Sequence, residues 1–327
     1  MKIRITWKKQ LLLLLMILAL VPAVNLRAGA AGTKSSYEVL SGGHWKRKKV
    51  NGKIKYRYKK ADGTYAGSGW KKVDGGWFNL DKNGCTRIGL TKIDGKYFFF
   101  RKSGGSGVTG KMATGLRTVG RKKCFFRKKG GVGIKGSRVE SEWVDIDGEE
   151  YYFKQNGAMH PEKKLTEEEF IQRIGPMARA DMKETGILAS VTIAQAILES
   201  GYGSTLLAIE ANNYFGMKAS LSGNTWKSEW GGDTFKKKTL EWYGKGFVTV
   251  TADFRAYPDM AASIRDHSNY LRYAKNGYSL RYSGVVGNKS YKKTIELIKN
   301  GGYATDPEYV SKICNIIKRF GLTKYDK

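Results

Sequence analysis

The sequence predicts an α+β chain in two parts: an all-β run of hairpin repeats over residues 42–160, then a mainly helical domain with a β-hairpin lobe over residues 161–327. Three observations carry this. Asn-Gly and Asp-Gly pairs flanked by aromatics recur before residue 160, apolar residues recur at helical spacing after it, and basic charge is concentrated in the first part.

At the front, Lys2, Arg4, Lys8 and Lys9 precede an apolar run over residues 11–21, and Ala28-Gly29-Ala30 offers small residues for cleavage. This pattern predicts a secretory signal peptide over residues 1–30, followed by a linker over 31–41, and hence an exported protein. An uncleaved anchor is the alternative, but residues 11–24, with Pro22 among them, are short for a spanning helix. No stable membrane span is expected in the mature chain. Cys85, Cys124 and Cys314 are too few and too scattered for a disulfide framework. Cys85 and Cys124 could pair within the repeats, although free buried thiols are the preferred reading.

The repeats align on their turns: Val50-Asn51-Gly52-Lys53, Val73-Asp74-Gly75-Gly76, Ile93-Asp94-Gly95-Lys96, the degenerate Val119-Gly120-Arg121-Lys122, and Ile146-Asp147-Gly148-Glu149. Alternating aromatics follow each turn, as in Tyr56 and Tyr58 or Tyr151 to Phe153. Asx-Gly between such runs is a strong hairpin signal. A unit of this size cannot bury its own apolar face, so the hairpins are expected to stack as a β-solenoid. The units resemble the cell-wall-binding repeats, related to choline-binding repeats, of surface hydrolases. They also depart from them: Gly69-Trp70 keeps the opening Gly-Trp, whereas the next two units open with Gly89-Leu90 and Gly115-Leu116. That departure puts multi-tryptophan choline cages in doubt.

Residues 41–160 hold 28 Lys and Arg against 10 Asp and Glu, a net of +18, while residues 161–327 hold 25 against 18, a net of +7. The repeats are therefore expected to hold anionic cell-wall polymers such as teichoic acids, and the protein to be secreted and wall-associated. A basic face interleaved with aromatics also suits nucleic acid, but an exported protein meets wall polymers first. A merely solvated basic surface is the plainer alternative.

In the second part, Val191 to Leu198 is almost wholly apolar and ends on Glu199. Such a helix belongs inside the domain, and Ser200-Gly201 should stop it. Poor solvation and the negative end of the helix dipole then both favour the protonated carboxyl. That is what a general acid needs to protonate a glycosidic oxygen near neutral pH. The plainer alternative is a helix-end Glu pointing into water. Asn212, Asn213, Tyr214 and Phe215 follow, with Tyr202 before them. Two amides among aromatics suit gripping acetamides and hydroxyls while stacking on sugar rings.

The order Gln-Ala-Ile-Leu-Glu-Ser-Gly-Tyr-Gly (195–203), then Asn-Asn-Tyr-Phe-Gly-Met-Lys (212–218), resembles the signature of the glucosaminidase domains of bacterial autolysins, glycoside hydrolase family 73. Thr239-Leu240-Glu241, Phe254-Arg255-Ala256-Tyr257 and Gly301 to Pro307 agree in order, so the resemblance covers about residues 165–322. It implies a lysozyme-like fold, hydrolysis of the β-1,4 bond after N-acetylglucosamine in peptidoglycan glycan strands, and Glu199 as the catalytic acid. It also implies Glu241, on a hairpin over residues 238–257, as the usual candidate for the base that activates water. Glu229 and Asp233 compete for that role. Tyr303 is a third catalytic candidate, a phenol that could position water or the substrate acetamide. Its plainer role would be to brace a helix start at Asp306-Pro307.

Thr166 with Glu169 forms a capping box, Met260, Ile264 and Leu271 mark a further helix, and His267 is the one His of this part. Without His or Cys clusters, no metal or other cofactor is expected. Two other functional classes remain open on the sequence. One is a muramidase or lytic transglycosylase, which would share a single helix-end Glu; the other is a non-catalytic wall-binding adhesin.

Overall fold

The computed structural model describes residues 36–221, 228, 230–242 and 247–327, with backbone alone for 239–242 and 247. The expected signal peptide and Glu229 lie outside the described residues. The chain divides into two compact units that part between Lys164 and Leu165.

The first unit is built from strands β1 (Tyr37–Leu40), β2 (His44–Val50), β3 (Lys53–Lys59), β4 (Gly69–Val73), β5 (Gly76–Leu80), β6 (Gly89–Ile93) and β7 (Lys96–Phe100). It continues with β8 (Gly115–Val119), β9 (Lys122–Phe126), β10 (Glu142–Ile146), β11 (Glu149–Phe153) and β12 (Met159–Lys163). Five antiparallel hairpins result, one at each turn that the sequence marks. In four of them both turn residues have positive φ, as at Asn51 (47°) and Gly52 (72°). This is the geometry that Asx-Gly supplies most cheaply. The degenerate turn keeps its hairpin another way: Gly120 alone has positive φ, 64°, so Arg121 needs no left-handed conformation.

Backbone bonds from Thr86 to Tyr56, Met112 to Trp77 and Arg138 to Tyr97 tie the loop after one hairpin to an earlier strand. Aromatics fill the spaces between: Tyr58 with Phe78, Trp70 with Phe98 and Phe100, Phe125 with Phe153. Two segments differ from expectation. Tyr37–Leu40, expected as linker, pairs in parallel with β4, and Met159–Lys163 adds a third strand to the last hairpin. Both complete edges that two strands would leave open. Cys85, Cys124 and Cys314 are all buried and unpaired.

The second unit contains α1 (Glu167–Thr185), α2 (Ala189–Ser200), α3 (Leu206–Ala211), the hairpin β13 (Thr234–Trp242) and β14 (Phe247–Arg255), and α4 (Met260–Tyr273). Short strands β15 (Lys275–Asn276) and β16 (Ser279–Leu280), then α5 (Tyr291–Asn300), α6 (Tyr309–Phe320) and a 3-10 turn at Leu322–Tyr325 complete it. The capping box at Thr166 and Glu169 forms with both bonds in place. The hairpin starts four residues earlier than the sequence suggested, because Thr234 to Lys238 already pair with Thr251 to Arg255. Helix α6 starts at Tyr309 rather than Pro307: Asp306 Oδ1 accepts from the Glu308 amide, making a turn before the helix instead of its cap.

Helix α2 is the centre of this unit, packing against α1, α5, α6 and the 3-10 turn. Every residue from Ala189 to Ile197 is buried. It has no side-chain cap of its own, since Leu188 stands at the N-cap. Asp326 supplies one from the far end of the chain, accepting from the Ser190 amide at 2.8 Å. The 3-10 turn reaches this position because Gly175 lets it approach α1; a Cβ there would lie 2.3 Å from the Tyr325 ring. Among the described residues no helix is long and apolar enough to cross a membrane.

Candidate active site

Glu199 stands at the last turn of α2. Gly201 ends the helix in the left-handed conformation, φ 54°, and its amide bonds back to the Ile197 carbonyl. Ser200 fixes the turn that follows, donating from Oγ to the Ala196 carbonyl at 2.6 Å and accepting from the Gly203 amide at 2.8 Å. The Glu199 side chain is partly buried: it reaches the surface but has protein on most sides. Burial pushes its carboxyl from 4.5 up to about 8. At neutral pH it therefore carries its proton.

Two phenols lie close enough to feel its charge. Tyr303 and Tyr309 are buried, and both are held well above the usual phenol range by burial, with the nearby Glu199 charge adding to it. Both keep their protons. Tyr309 accepts at 2.8 Å from the amide of Gln195, one turn before Glu199 on the same face of α2. Tyr303 Oη lies 3.1 Å from Nε2 of His267, which is wholly buried on α4. Burial pushes His267 down to about 3, so the imidazole is neutral. His267 is fixed on its other face by Phe215, stacked at 4.0 Å and 9°.

The segment expected to grip sugar is largely spent on building the fold. Asn213 is buried, donating to the Met217 and Arg255 carbonyls at 2.9 and 2.8 Å and accepting from the Met217 amide at 2.9 Å. Every donor and its acceptor oxygen are engaged with backbone. Asn212 caps α3 in the left-handed conformation and donates to the Tyr257 and Pro258 carbonyls at 3.0 and 3.1 Å. Phe215 is buried against His267 and presents no open ring. Tyr202 packs edge-on against Phe170 and Phe320, and its hydroxyl bonds to Glu167. Tyr214, packed on Phe170, keeps a partly exposed ring. These contacts have one physical reason: amides near a helix end are as useful for tying loops as for binding ligands.

Sequence reasoning missed what holds the hairpin. Arg255, at the end of β14, pairs with Asp266 of α4 at 2.7 Å, both wholly buried. Tyr257 donates to Asp266 at 2.7 Å, Ser228 donates to its other oxygen, and the Trp230 ring lies 4.7 Å from the guanidinium carbon. Nothing in the spacing of Arg255 and Asp266 flags this pair. His267 and Gln195 were equally silent, except that a lone His on an amphipathic helix and a Gln one turn before the acid are both polar groups in apolar surroundings. Asp233 is exposed at the hairpin entrance. Glu241 is paired with Val248 in the hairpin backbone, and its side chain lies outside the described residues. Among the described residues no cluster of His, Cys, Asp and Glu is placed to hold a metal ion.

Residues 175–322 match the glucosaminidase family, described as mannosyl-glycoprotein endo-β-N-acetylglucosaminidase, and residues 141–159 match a cell wall binding repeat. The exo-glucosaminidase LytG of Bacillus subtilis (strain 168) is 33% identical over 158 residues, 48% of this chain and 53% of that protein. A Lactococcus lactis subsp. lactis protein named for N-acetylmuramidase activity is 30% identical over 179 residues, 54% of this chain and 39% of that protein. The catalytic domain of the autolysin Auto from Listeria monocytogenes is 34% identical, with 48% of this chain and 85% of that chain covered and a TM-score of 0.42. Residues 175–322 thus form a domain of the glucosaminidase family, glycoside hydrolase family 73, with a cell wall binding repeat at 141–159 ahead of it. It spans about half the length of the first of these curated relatives and less of the second.

Proposed function

We propose that the protein is an exported peptidoglycan hydrolase that cleaves the β-1,4 bond after N-acetylglucosamine and is held on the wall by its basic repeats. The observation that carries this is the Glu199 carboxyl, protonated at neutral pH at the end of a buried helix. In this reading Glu199 delivers its proton to the glycosidic oxygen as the C–O bond breaks, and a water adds to the anomeric carbon. Tyr303, its hydroxyl fixed by neutral His267, orients that water or the substrate acetamide. Glu241 is the proposed base.

The helical unit would then be lysozyme-like, with Tyr214 lining its cleft, and the hairpins would stack as a solenoid that binds anionic wall polymers. A leader over residues 1–30 would export it. One specific observation favours a second reading, muramidase: the Lactococcus relative is named for it. Mass spectrometry of digested peptidoglycan separates the two. Products with reducing-end N-acetylglucosamine support the proposal, reducing-end N-acetylmuramic acid the alternative, and an anhydro sugar would point instead to a transglycosylase. No product and no clearing of wall-containing gels would leave only a wall-binding protein.

A further inference from the structure

The β2–β3 hairpin carries eight Lys and Arg in fourteen strand residues and no acid. Its register sets bases directly across from each other: Lys46 opposite Arg57, and Lys48 opposite Lys55. Directly opposed residues share a face, and like charges there are destabilising. In the other repeat hairpins a base faces an aromatic or a neutral residue instead, as Lys71 faces Phe78, Lys72 faces Trp77 and Lys92 faces Tyr97.

The fold shows how it handles the mirror-image problem. In the β10–β11 hairpin Asp145 stands opposite Glu150, two acids face to face. Lys164, just past the third strand, binds Glu150 at 2.7 Å, and Lys163 binds the neighbouring Glu149 at 3.0 Å. Among the described residues the β2–β3 sheet has no third strand. The one acid lining its grooves, Asp81, pairs with Lys55 at 3.0 Å.

Two depressions flank the tip of this hairpin and share Lys53 and Ile88. One, of about 640 Å³, adds Arg47, Lys102 and Thr109; the other, of about 290 Å³, adds Lys55, Arg87 and Thr91. We infer that this basic hairpin and its two joined grooves are a binding site for a polyol phosphodiester polymer, whose charges replace the missing acidic strand. The inference rests on the proposed wall-holding role of the repeats and gives that role a specific site. Lys53 and Lys55 lie on one face of β3, roughly 7 Å apart, and both line the smaller groove, while Arg57, next on that face, lies over the Tyr65 ring. A three-carbon polyol phosphate chain repeats its charge at a comparable interval, whereas a polypeptide carboxylate chain is more closely spaced. Arginine, lysine and threonine heads match the several acceptor oxygens of each phosphate. Single-stranded nucleic acid has similar charge spacing but binds by stacking bases on open rings, and the one aromatic lining these grooves, Tyr56, is buried.

The test is fluorescence anisotropy of a labelled glycerol-phosphate oligomer titrated with the full chain over a salt series. Polyglutamate and single-stranded DNA of equal charge serve as competitors. Lys48→Gln with Lys53→Gln is expected to weaken oligomer binding about tenfold and to flatten the salt slope by about two. The same variant should melt at an equal or higher temperature, because it removes repulsion without removing a bond. Lys122→Gln with Lys123→Gln, outside both grooves, should leave affinity within about twofold. Equal loss in both variants, or tighter binding of polyglutamate or DNA, overturns the site. Retention on isolated walls is scored separately: oligomer binding without wall retention would keep the groove and remove the wall-holding role. Wall retention without oligomer binding would remove the groove and leave that role standing.

Discussion

Replacing Glu199 by Gln keeps the shape of the side chain and removes its titratable proton. The structure then predicts two effects that pull in opposite directions. Without a carboxylic proton to donate, turnover should fall by at least about 100-fold, while wall retention persists. Stability should change only above about pH 4.5. In the folded protein the carboxyl titrates near 8 instead of 4.5, so the native state binds a proton more tightly than the unfolded chain. A raised acid of this kind contributes stability that is fully present below about pH 4.5 and is lost as pH rises through 8. A rise from 4.5 to about 8, at about 1.4 kcal/mol per pH unit, sets a ceiling near 5 kcal/mol. Partial solvent access at Glu199 lowers the expected loss to about 2–3 kcal/mol. Gln does not titrate and escapes it. Urea melts of both proteins at pH 4 and pH 9 should coincide at the first and separate at the second, with the variant more stable. The wild-type pH profile of kcat/KM should fall above about pH 8. Near-normal lysis by the variant, or a stability difference that ignores pH, would refute the reasoning.

Three further outcomes follow from the same structure. Residues 165–327 alone should cut soluble glycan fragments yet wash off intact walls at lower salt than the full chain, because polyelectrolyte contacts weaken with ionic strength; equal retention would show that the repeats do not target. If Glu241 activates water on the far face of the sugar, proton NMR should find the inverted, α anomer first and Glu241→Gln should be nearly as damaging as Glu199→Gln. A β product would rule that scheme out and shift the weight to the substrate acetamide, oriented by Tyr303. Asn213→Ala should cost about 2–3 kcal/mol by leaving buried backbone groups unbonded, with KM for soluble fragments little changed; a raised KM at unchanged stability would restore Asn213 to substrate binding.

What the sequence determined by itself is what adjacent residues decide. Asn51-Gly52 and its counterparts make hairpins because both residues tolerate positive φ. Gly201 stops α2 directly after Glu199 and Ser200, and Thr166 with Glu169 starts α1, because the atoms that bond are within a turn of one another. An apolar helix ending in an acid was legible for the same reason. Its partners were not. Tyr303 meets His267 across 36 residues, Arg255 meets Asp266 across 11, and Asp326 caps α2 across 136. The Asn212-Asn213 pair reads as ligand-gripping in the sequence, and in the fold its amide donors meet the carbonyls of Tyr257, Met217 and Arg255. A polar side chain carries the same donors whether it faces a sugar or a carbonyl. Which it meets is decided by the packing of α1, α2, α4 and α6, and that packing rests on long-range apolar contacts with no local signature.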